Sequence, residues 1–159
     1  MKDKKACIFY FLMVIILLDF GNQLKKISYN PLIENINNNF LSIVHLNNTG
    51  SAFSMFQNNA KILAILGIFV ILIIAFEVFK NISSKEKNEL LALTLFSAGS
   101  LGNVIERFQY GYVVDYIKLN FMDFPIFNAF DIMICSGIIL YCLVIFLDFK
   151  KPKNEQNCN

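Results

Sequence analysis

The sequence has few of the residues on which many soluble enzymes depend for catalysis. Its only histidine is His45, which argues against a histidine-based zinc site or a Ser-His-Asp triad. Its four cysteines show no CxxC or other metal-ligand spacing, and Cys7, Cys135 and Cys142 lie within apolar runs. We therefore expect no metal, no cofactor and no disulfide framework. A net charge of +2 also gives no reason to expect nucleic acid as a partner.

Charged residues are scarce as well, and this scarcity accompanies an excess of apolar residues. Only 16% of the 159 residues are charged, whereas 56% are hydrophobic. About a quarter of the residues in a soluble domain are charged, so this composition is too apolar for one small soluble core. The apolar residues fall in blocks, which indicates contact with lipid. We expect a single membrane-embedded domain over residues 1–159.

Four apolar stretches predict four transmembrane helices, so the expected fold class is an all-α membrane protein. The stretches lie at about 6–24, 61–80, 90–105 and 127–147. A helix needs about 20 residues to cross the hydrocarbon core, so each span must include flanking residues. A basic start followed by an apolar run also resembles a signal peptide. No small-x-small cleavage site follows it, however, which favours a retained first helix.

The basic residues divide unevenly between the two sides of such a four-helix arrangement. Both termini and the central loop share one side, which carries Lys2, Lys4, Lys5, Lys80, Lys85, Lys87, Lys150, Lys151 and Lys153. The other side has only Lys25, Lys26, Lys61, Arg107 and Lys118. The positive-inside rule therefore predicts that both termini are cytoplasmic and that the longer loops, 25–60 and 106–126, face outward.

Both outer loops contain segments that favour strands. Phe40–Leu46 and Val113–Phe121 are rich in β-branched and large apolar residues, and turn-forming Asn and Gly residues flank them. We expect these segments to form a small β-sheet on the outer membrane surface.

Acidic residues near the outer ends of the spans are the candidates for chemistry, because ionisable groups in a membrane are costly. Asp19 lies at the outer end of the first span, Asp115 in the outer loop after the third, and Asp131 at the outer end of the fourth. Pro125 separates Asp115 from Asp131, so only tertiary folding could bring this pair together. Two close carboxylates cannot both ionise cheaply. One ionised and one protonated carboxyl is the arrangement that an aspartic protease uses.

Other interpretations of these residues are open at this point. Asp115 alone could be a solvated loop residue, and Asp131 alone could be a helix N-cap. The three aspartates could also form a relay in a proton-coupled transporter, although such a relay is expected near mid-membrane. A non-enzymatic scaffold and a serine–lysine peptidase that uses Ser54 and Lys61 are further alternatives.

Four segments, in this order along the chain, match motifs of one known family. They are NTGSAFS at 48–54, GSLGNVIER at 99–107, GYVVDYI at 111–117 and FPIFNAFD at 124–131. They resemble the N-x-G-[AS]-A-F-S, G-x-x-G-N-x-[IL]-D-R, G-x-V-[VI]-D-[FM]-[IL] and F-P-x-F-N-x-A-D motifs of bacterial lipoprotein signal peptidase (signal peptidase II). The resemblance covers nearly the whole chain.

This resemblance implies an aspartic endopeptidase whose catalytic pair is Asp115 and Asp131. The residues that contact substrate or support the site would be Asn48, Asn103, Arg107, Asn128, Asp19 and Gly102. The substrate would be a prolipoprotein whose cysteine carries a diacylglyceryl group, and cleavage would fall just before that cysteine. The resemblance also implies a monomer in the bacterial cytoplasmic (inner) membrane, in contact with membrane lipid and blocked by globomycin.

The sequence departs from the family pattern in three places. The first helix of the family usually ends D-Q-x-x-K, whereas Phe20 and Gln23 occupy the Gln and Lys positions here, and Lys25 or Lys26 would have to replace the lysine. The acid before Arg107 is Glu106 instead of Asp. The residue before the second aspartate is Phe130 instead of Ala. These departures concern the support of Asp19 and the shape of the substrate groove.

Overall fold

The computed structural model describes residues 2–50 and 59–150. Residues 51–54 of the first motif, including Ser54 of the serine–lysine alternative, lie outside the described residues. So do Lys151, Lys153 and Cys158 near the C-terminus. In chain order the elements are α1 (Lys2–Ser28), α2 (Pro31–Glu34), β1 (Leu41–Asn48), α3 (Ala60–Asn81), a 3-10 turn (Ile82–Ser84), α4 (Lys87–Tyr110), β2 (Val113–Leu119) and α5 (Ala129–Lys150).

The four long helices correspond to the four predicted apolar stretches. Helices α1, α3 and α4 run beyond the predicted stretch at both ends. A helix satisfies its own backbone hydrogen bonds, so it can continue past the apolar residues into the polar residues that flank them. Helix α5 instead begins two residues later than predicted. Phe127 is paired with β2 at this point, and Asn128 hydrogen-bonds to the first turn of the helix.

Three of the described helices are long and apolar enough to cross a membrane, namely α1 from Lys4 onward, α3 and α5. Helix α4 is the less apolar one because it packs against the other three long helices. Its buried face is built largely from small or polar residues: Ala92, Thr94, Ser97, Ala98, Gly99, Gly102 and Asn103. Small residues let helices approach closely inside a membrane, where burial from water gives no driving force. The predicted mostly helical membrane fold is confirmed.

Glycines mark the closest contact, which lies between α4 and α5. A Cβ atom on Gly99 would meet the carbonyl oxygen of Phe130, and a Cβ on Gly137 would lie 2.7 Å from the carbonyl oxygen of Ala92. Both obstacles are backbone atoms, which cannot rotate away. The backbones of α4 and α5 therefore approach each other closely at Gly99 and at Gly137. They can do so because glycine has no side chain to keep them apart.

The predicted sheet consists of two antiparallel strands, β1 and β2, and is confirmed. Strand β1 ends two residues later than predicted, and β2 ends two residues earlier. The register changes between Ile43 and Leu46: Ile43 pairs with Ile117, whereas Leu46 pairs with Asp115. Two residues of β1 thus lie opposite Tyr116 alone, which is a β-bulge.

Candidate active site

Asp115 lies in the middle of β2 and is only 2% exposed. Its carboxyl group is held by two amide side chains. Asn48 Nδ2 donates to Asp115 Oδ2 at 2.9 Å, and Asn128 Nδ2 donates to Asp115 Oδ1 at 2.8 Å. The buried carboxyl group is therefore supplied with one amide N–H at each oxygen.

The bulge in β1 makes the contact between Asn48 and Asp115 possible. Beyond the bulge Asn48 pairs with Val113, and Val113 and Asp115 face the same side of the strand because side chains alternate. Asn48 is thus the diagonal neighbour of Asp115 on one face of the sheet. With the register of Ile43 continued unchanged, Asn48 would point to the opposite face, since a slip of one residue reverses every side chain.

Asp131 is the third residue of α5, and it is less buried than Asp115. Asn103 Nδ2, from α4, donates to Asp131 Oδ1 at 2.8 Å, and the backbone N–H of Asn128 donates to Asp131 Oδ2 at 3.0 Å. Asn128 Oδ1 accepts the backbone N–H groups of Phe130 at 2.8 Å and Asp131 at 3.0 Å, as an N-cap side chain does. The first turn of α5 is therefore held both by the side chain of Asn128, which accepts two backbone N–H groups, and by the side chain of Asp131, which accepts the backbone N–H of Asn128.

Asn128 connects the two aspartates. Its Nδ2 group donates to Asp115 and lies 3.3 Å from Asn103 Oδ1, while Asn103 donates to Asp131. The hydrogen-bonded sequence Asp115–Asn128–Asn103–Asp131 thus links β2, α4 and α5. Asn128 is only 1% exposed, so its two bonds in this sequence are made away from solvent. Each carboxylate oxygen retains a further lone pair for a water molecule or a proton.

Backbone pairing on the second edge of β2 explains how residues 115 and 131 meet. Ile117 N donates to Phe127 O at 2.8 Å, and Phe127 N donates to Ile117 O at 3.0 Å. The segment after Pro125 thereby lies against β2. Tyr116, which is buried, accepts the N–H of Ala129 at its hydroxyl at 3.2 Å. This pairing of Phe127 with Ile117 is the tertiary contact that brings the segment of Asp131 back to β2. The sequence showed that such a contact is needed, but not where it forms.

Arg107 supplies the positive charge of the cluster. Its Nη2 atom donates to Gly50 O at 2.8 Å, and its guanidinium interacts electrostatically with both aspartates. Nε of Arg107 is buried and has no hydrogen-bond partner among residues 2–50 and 59–150. Arg107 therefore ties the start of the first motif to α4 and offsets negative charge at the cluster.

Burial raises the pKa of Asp115 to about 6, from an ordinary value of 3.8. The hydrogen bond from Asn48 opposes this increase, the negative charge of Asp131 adds to it, and Asn128 and Arg107 oppose it. Desolvation dominates because a buried carboxylate loses its hydration. Near neutral pH, Asp115 can therefore exchange a proton with modest changes in its surroundings.

Two of the predicted site residues lie apart from this network. Asp19 is exposed on α1 and accepts a hydrogen bond from Gln23 Nε2 at 3.4 Å. Gly102 faces the ring of Phe130, as does Gly21, so its role is to make room for that ring. The structure thus brings together the other six predicted residues: Asn48, Asn103, Arg107, Asp115, Asn128 and Asp131.

Sequence reasoning missed one buried ion pair next to these residues. Lys25 Nζ lies 2.7 Å from Glu106 Oε1. Glu106 stands where the family usually has Asp, and Lys25 lies two residues after the position where the family usually has Lys. These two departures were the available signal. No group of three or more His, Cys, Asp or Glu side chains within the described part of the chain is arranged to hold a metal ion.

Comparison with known proteins gives a consistent set of relatives. A family model described as signal peptidase (SPase) II matches residues 11–147. A lipoprotein signal peptidase of Streptococcus agalactiae is 38% identical over 150 residues, covering 92% of this chain and 92% of that protein. A lipoprotein signal peptidase of Enterococcus faecalis is 36% identical over 118 residues, covering 74% of this chain and 73% of that protein.

Solved structures give the same result at the level of the fold. One bacterial membrane enzyme superposes with a TM-score of 0.79 at 26% identity, covering 91% of this chain and 92% of that chain. A second superposes with a TM-score of 0.71 at 27% identity, covering 91% and 94%. Together with the three apolar helices, these likenesses indicate a multi-pass membrane protein.

Proposed function

Because this chain belongs to the signal peptidase II family and is therefore a peptidase, we propose that Asp115 and Asp131 are the two carboxyl groups with which it cleaves its substrate. The observation that carries this proposal is the hydrogen-bonded sequence from Asp115 through Asn128 and Asn103 to Asp131. It supports a pair of carboxyl groups held at one end of the helices, each with a lone pair free for catalysis.

In the proposed reaction the two carboxyl groups share one proton. The ionised carboxylate takes a proton from a water molecule, and the hydroxide equivalent attacks the scissile carbonyl carbon. The protonated carboxyl donates a hydrogen bond to the carbonyl oxygen as negative charge develops there. Proton transfer to the amide nitrogen then releases the new amine, and the pair returns to one proton. No covalent intermediate with the enzyme forms.

The surrounding residues would keep the two carboxyl groups in place and keep one of them ionised. Asn48, Asn103 and Asn128 donate hydrogen bonds without adding charge, which favours the ionised form of a buried carboxyl group. Arg107 adds the compensating positive charge. We assign Asp19 and Gly102 to support of the site through α1 and through the packing of Phe130.

The substrate follows from the relatives, which are named lipoprotein signal peptidases. We propose that this chain removes the signal peptide from a prolipoprotein whose cysteine carries a diacylglyceryl group. Cleavage would fall just before that cysteine. A lipid-anchored substrate places its scissile bond at the membrane surface, where the two carboxyl groups are proposed to lie. Inhibition by globomycin is part of the same proposal.

The proposed setting is the bacterial cytoplasmic membrane, crossed four times by a single-domain monomer. Helix α4 has 24 residues. At about 1.5 Å per residue it extends about 36 Å, more than the hydrocarbon thickness of about 30 Å. The lysines at both termini and between α3 and α4 support a cytoplasmic location for those segments. Asp115 and Asp131 would then lie near the outer face, together with β1 and β2.

The decisive experiment is cleavage of a diacylglyceryl-modified prolipoprotein by the purified protein in detergent. Asp115→Asn and Asp131→Asn are each expected to lower the rate at least about 1000-fold, because a dyad needs both groups. Asp123→Asn, an exposed aspartate before Pro125, is the matched control and should cleave normally.

Near-normal cleavage by either dyad variant would contradict the proposal. Dependence on Ser54 together with indifference to Asp115 would instead support the serine–lysine alternative. Correct folding of each variant is checked by its melting temperature, so that a loss of rate is assigned to chemistry.

A further inference from the structure

The ion pair between Lys25 and Glu106 has no role in the reaction proposed above. Lys25 lies in the last turn of α1, and Glu106 precedes Arg107 near the end of α4. The exposed fractions of the two side chains are 18% and 4%, and the N–O distance is 2.7 Å. A salt bridge as buried as this one is costly to break from one side, because the remaining charge is left without compensation.

The second carboxylate oxygen of Glu106 holds the strand that carries Asp115. The backbone N–H of Val114 donates to Glu106 Oε2 at 2.8 Å. Val114 directly precedes Asp115, so this bond fixes the backbone next to the proposed catalytic residue. One carboxylate therefore contacts α1 through one oxygen and β2 through the other.

The end of α1 is also tied to β1. Ser28 Oγ donates to Lys25 O at 2.7 Å and lies 3.1 Å from His45 Nε2 on β1. Since the single hydroxyl proton of Ser28 is used on Lys25, His45 must donate in the second contact. These two contacts of Ser28 therefore tie the turn of α1 that carries Lys25 to β1.

Two departures from the family pattern meet in this ion pair. The lysine expected at position 23 is absent, and Lys25 follows two residues later; the acid before Arg107 is one methylene longer than the expected Asp. The longer acid reaches the displaced lysine.

We infer that Lys25 is a positioning residue for the proposed dyad: by pairing with Glu106 it holds the backbone beside Asp115 and offsets a third negative charge near the two aspartates. This inference rests on the proposed function of Asp115 and Asp131. Lys25 acts through Glu106 and touches neither aspartate.

The test compares Lys25→Met, Lys25→Arg and the double variant Lys25→Met with Glu106→Gln. Lys26→Met, an exposed lysine in the same turn, is the matched control. The assay is cleavage of a diacylglyceryl-modified prolipoprotein in detergent over a range of pH. Displacement of a catalytic group by about 1 Å lowers a rate roughly 100-fold, so Lys25→Met should lower kcat about 10-fold to 100-fold. KM should stay within about twofold, because substrate binding is not the affected step.

The pH profile separates positioning from a general loss of structure. In Lys25→Met the uncompensated Glu106 charge disfavours ionisation of the dyad, so the acidic limb should move to higher pH. The double variant should return this limb to its original position, because the amide at 106 is neutral and can still accept the Val114 N–H. Lys25→Arg should restore most of kcat.

Two results would overturn the inference. One is kinetics of Lys25→Met that equal those of Lys26→Met. The other is a fall in kcat that follows the melting temperature, with an unmoved pH profile and no rescue by arginine. Failure of the proposed function is seen separately, as cleavage by Asp115→Asn. If both dyad variants are inactive and Lys25→Met is normal, only the positioning role is wrong.

Discussion

At the scale of single residues, the most informative group is the carboxyl of Asp115. It is almost fully buried, it receives an amide N–H at each oxygen, and its pKa is raised to about 6. The amides Asn48 and Asn128 cannot reverse their side chains without losing other bonds, since each Oδ1 accepts backbone N–H groups. The site therefore fits a carboxyl group at position 115. The Nδ2 group of an asparagine at this position would face the N–H donor of Asn48 or Asn128.

A raised pKa makes the stability of the protein depend on pH. Protonated Asp115 stabilises the folded state below about pH 4, and this contribution is lost as the pH rises through about 6. The difference from 3.8 to about 6 corresponds to about 3 kcal/mol, since one pKa unit is about 1.4 kcal/mol. At neutral pH the wild-type protein therefore carries the cost of a buried charge.

Asp115→Asn should remove this pH-dependent cost. We expect the melting temperature of the variant, relative to wild type, to be higher at about pH 8 than at about pH 4. The unfavourable donor contact of the new amide is present at both pH values and cancels in the comparison. Asp123→Asn serves as the control and should show no such difference. An equal offset at both pH values would contradict the raised pKa.

The identities of the residues in the cluster could be predicted from sequence, because four motifs carry them. Their individual contacts could not. Whether Asn48 faces Asp115 depends on a bulge in β1, and the contact between Lys25 and Glu106 depends on how α1 packs against α4. Both are properties of tertiary structure that no local pattern encodes.

At the scale of secondary-structure elements, the large side chain of Phe130 is explained by two glycines. The sequence suggested that Phe130 would alter the substrate groove, because the family usually has Ala there. The ring lies in the helix core, 3% exposed, against Gly21 of α1 and Gly102 of α4. The ring therefore contributes to the packing of α5 against α1 and α4.

This packing predicts strong coupling between positions 102 and 130. Gly102→Ala alone should cost about 1–3 kcal/mol through overpacking, and Phe130→Ala alone about 3–5 kcal/mol through a cavity. In the double variant the new methyl group occupies part of the vacated space. Unfolding measurements should therefore give a double-mutant cost below the sum, by about 0.5–3 kcal/mol.

Gly67→Ala combined with Phe130→Ala is the matched control for this cycle. A Cβ on Gly67 would meet Val104 and has no contact with the ring of Phe130. The two costs should therefore add. Additive costs in the Gly102 pair as well would show that the ring does not fill the space between the glycines.

At the scale of the whole molecule, hydropathy alone identifies three of the four long helices as membrane-crossing. The fourth, α4, carries Asn103 and Arg107 of the site and packs against the other three long helices. Hydrophobic patterning predicted all four long helices, including α4 from the stretch 90–105, but its apolar stretch is the shortest of the four because the helix packs against the other three. The termini of the helices were less predictable, since α1, α3 and α4 continue beyond their apolar stretches.

Orientation in the membrane can be tested with a thiol reagent that does not cross membranes. The four native cysteines are first replaced by serine, and Asp123→Cys or Ser84→Cys is then introduced. We expect Asp123→Cys to react in intact cells and Ser84→Cys to react only after permeabilisation, because the lysines around Ser84 favour the cytoplasm. The opposite labelling pattern would show that the proposed orientation is inverted.

The bulge between Ile43 and Leu46 has a consequence for how this chain can vary in length. Asn48 faces Asp115 only because an odd number of residues has been added on one strand relative to its partner. Loss of one residue from this segment would leave the composition and the membrane helices unchanged, yet would turn Asn48 away; loss of two would restore its direction. Whether β1 tolerates an insertion or deletion therefore depends on whether the number of residues is odd or even. A change of one residue in this segment should lower activity more than many conservative substitutions elsewhere in the chain.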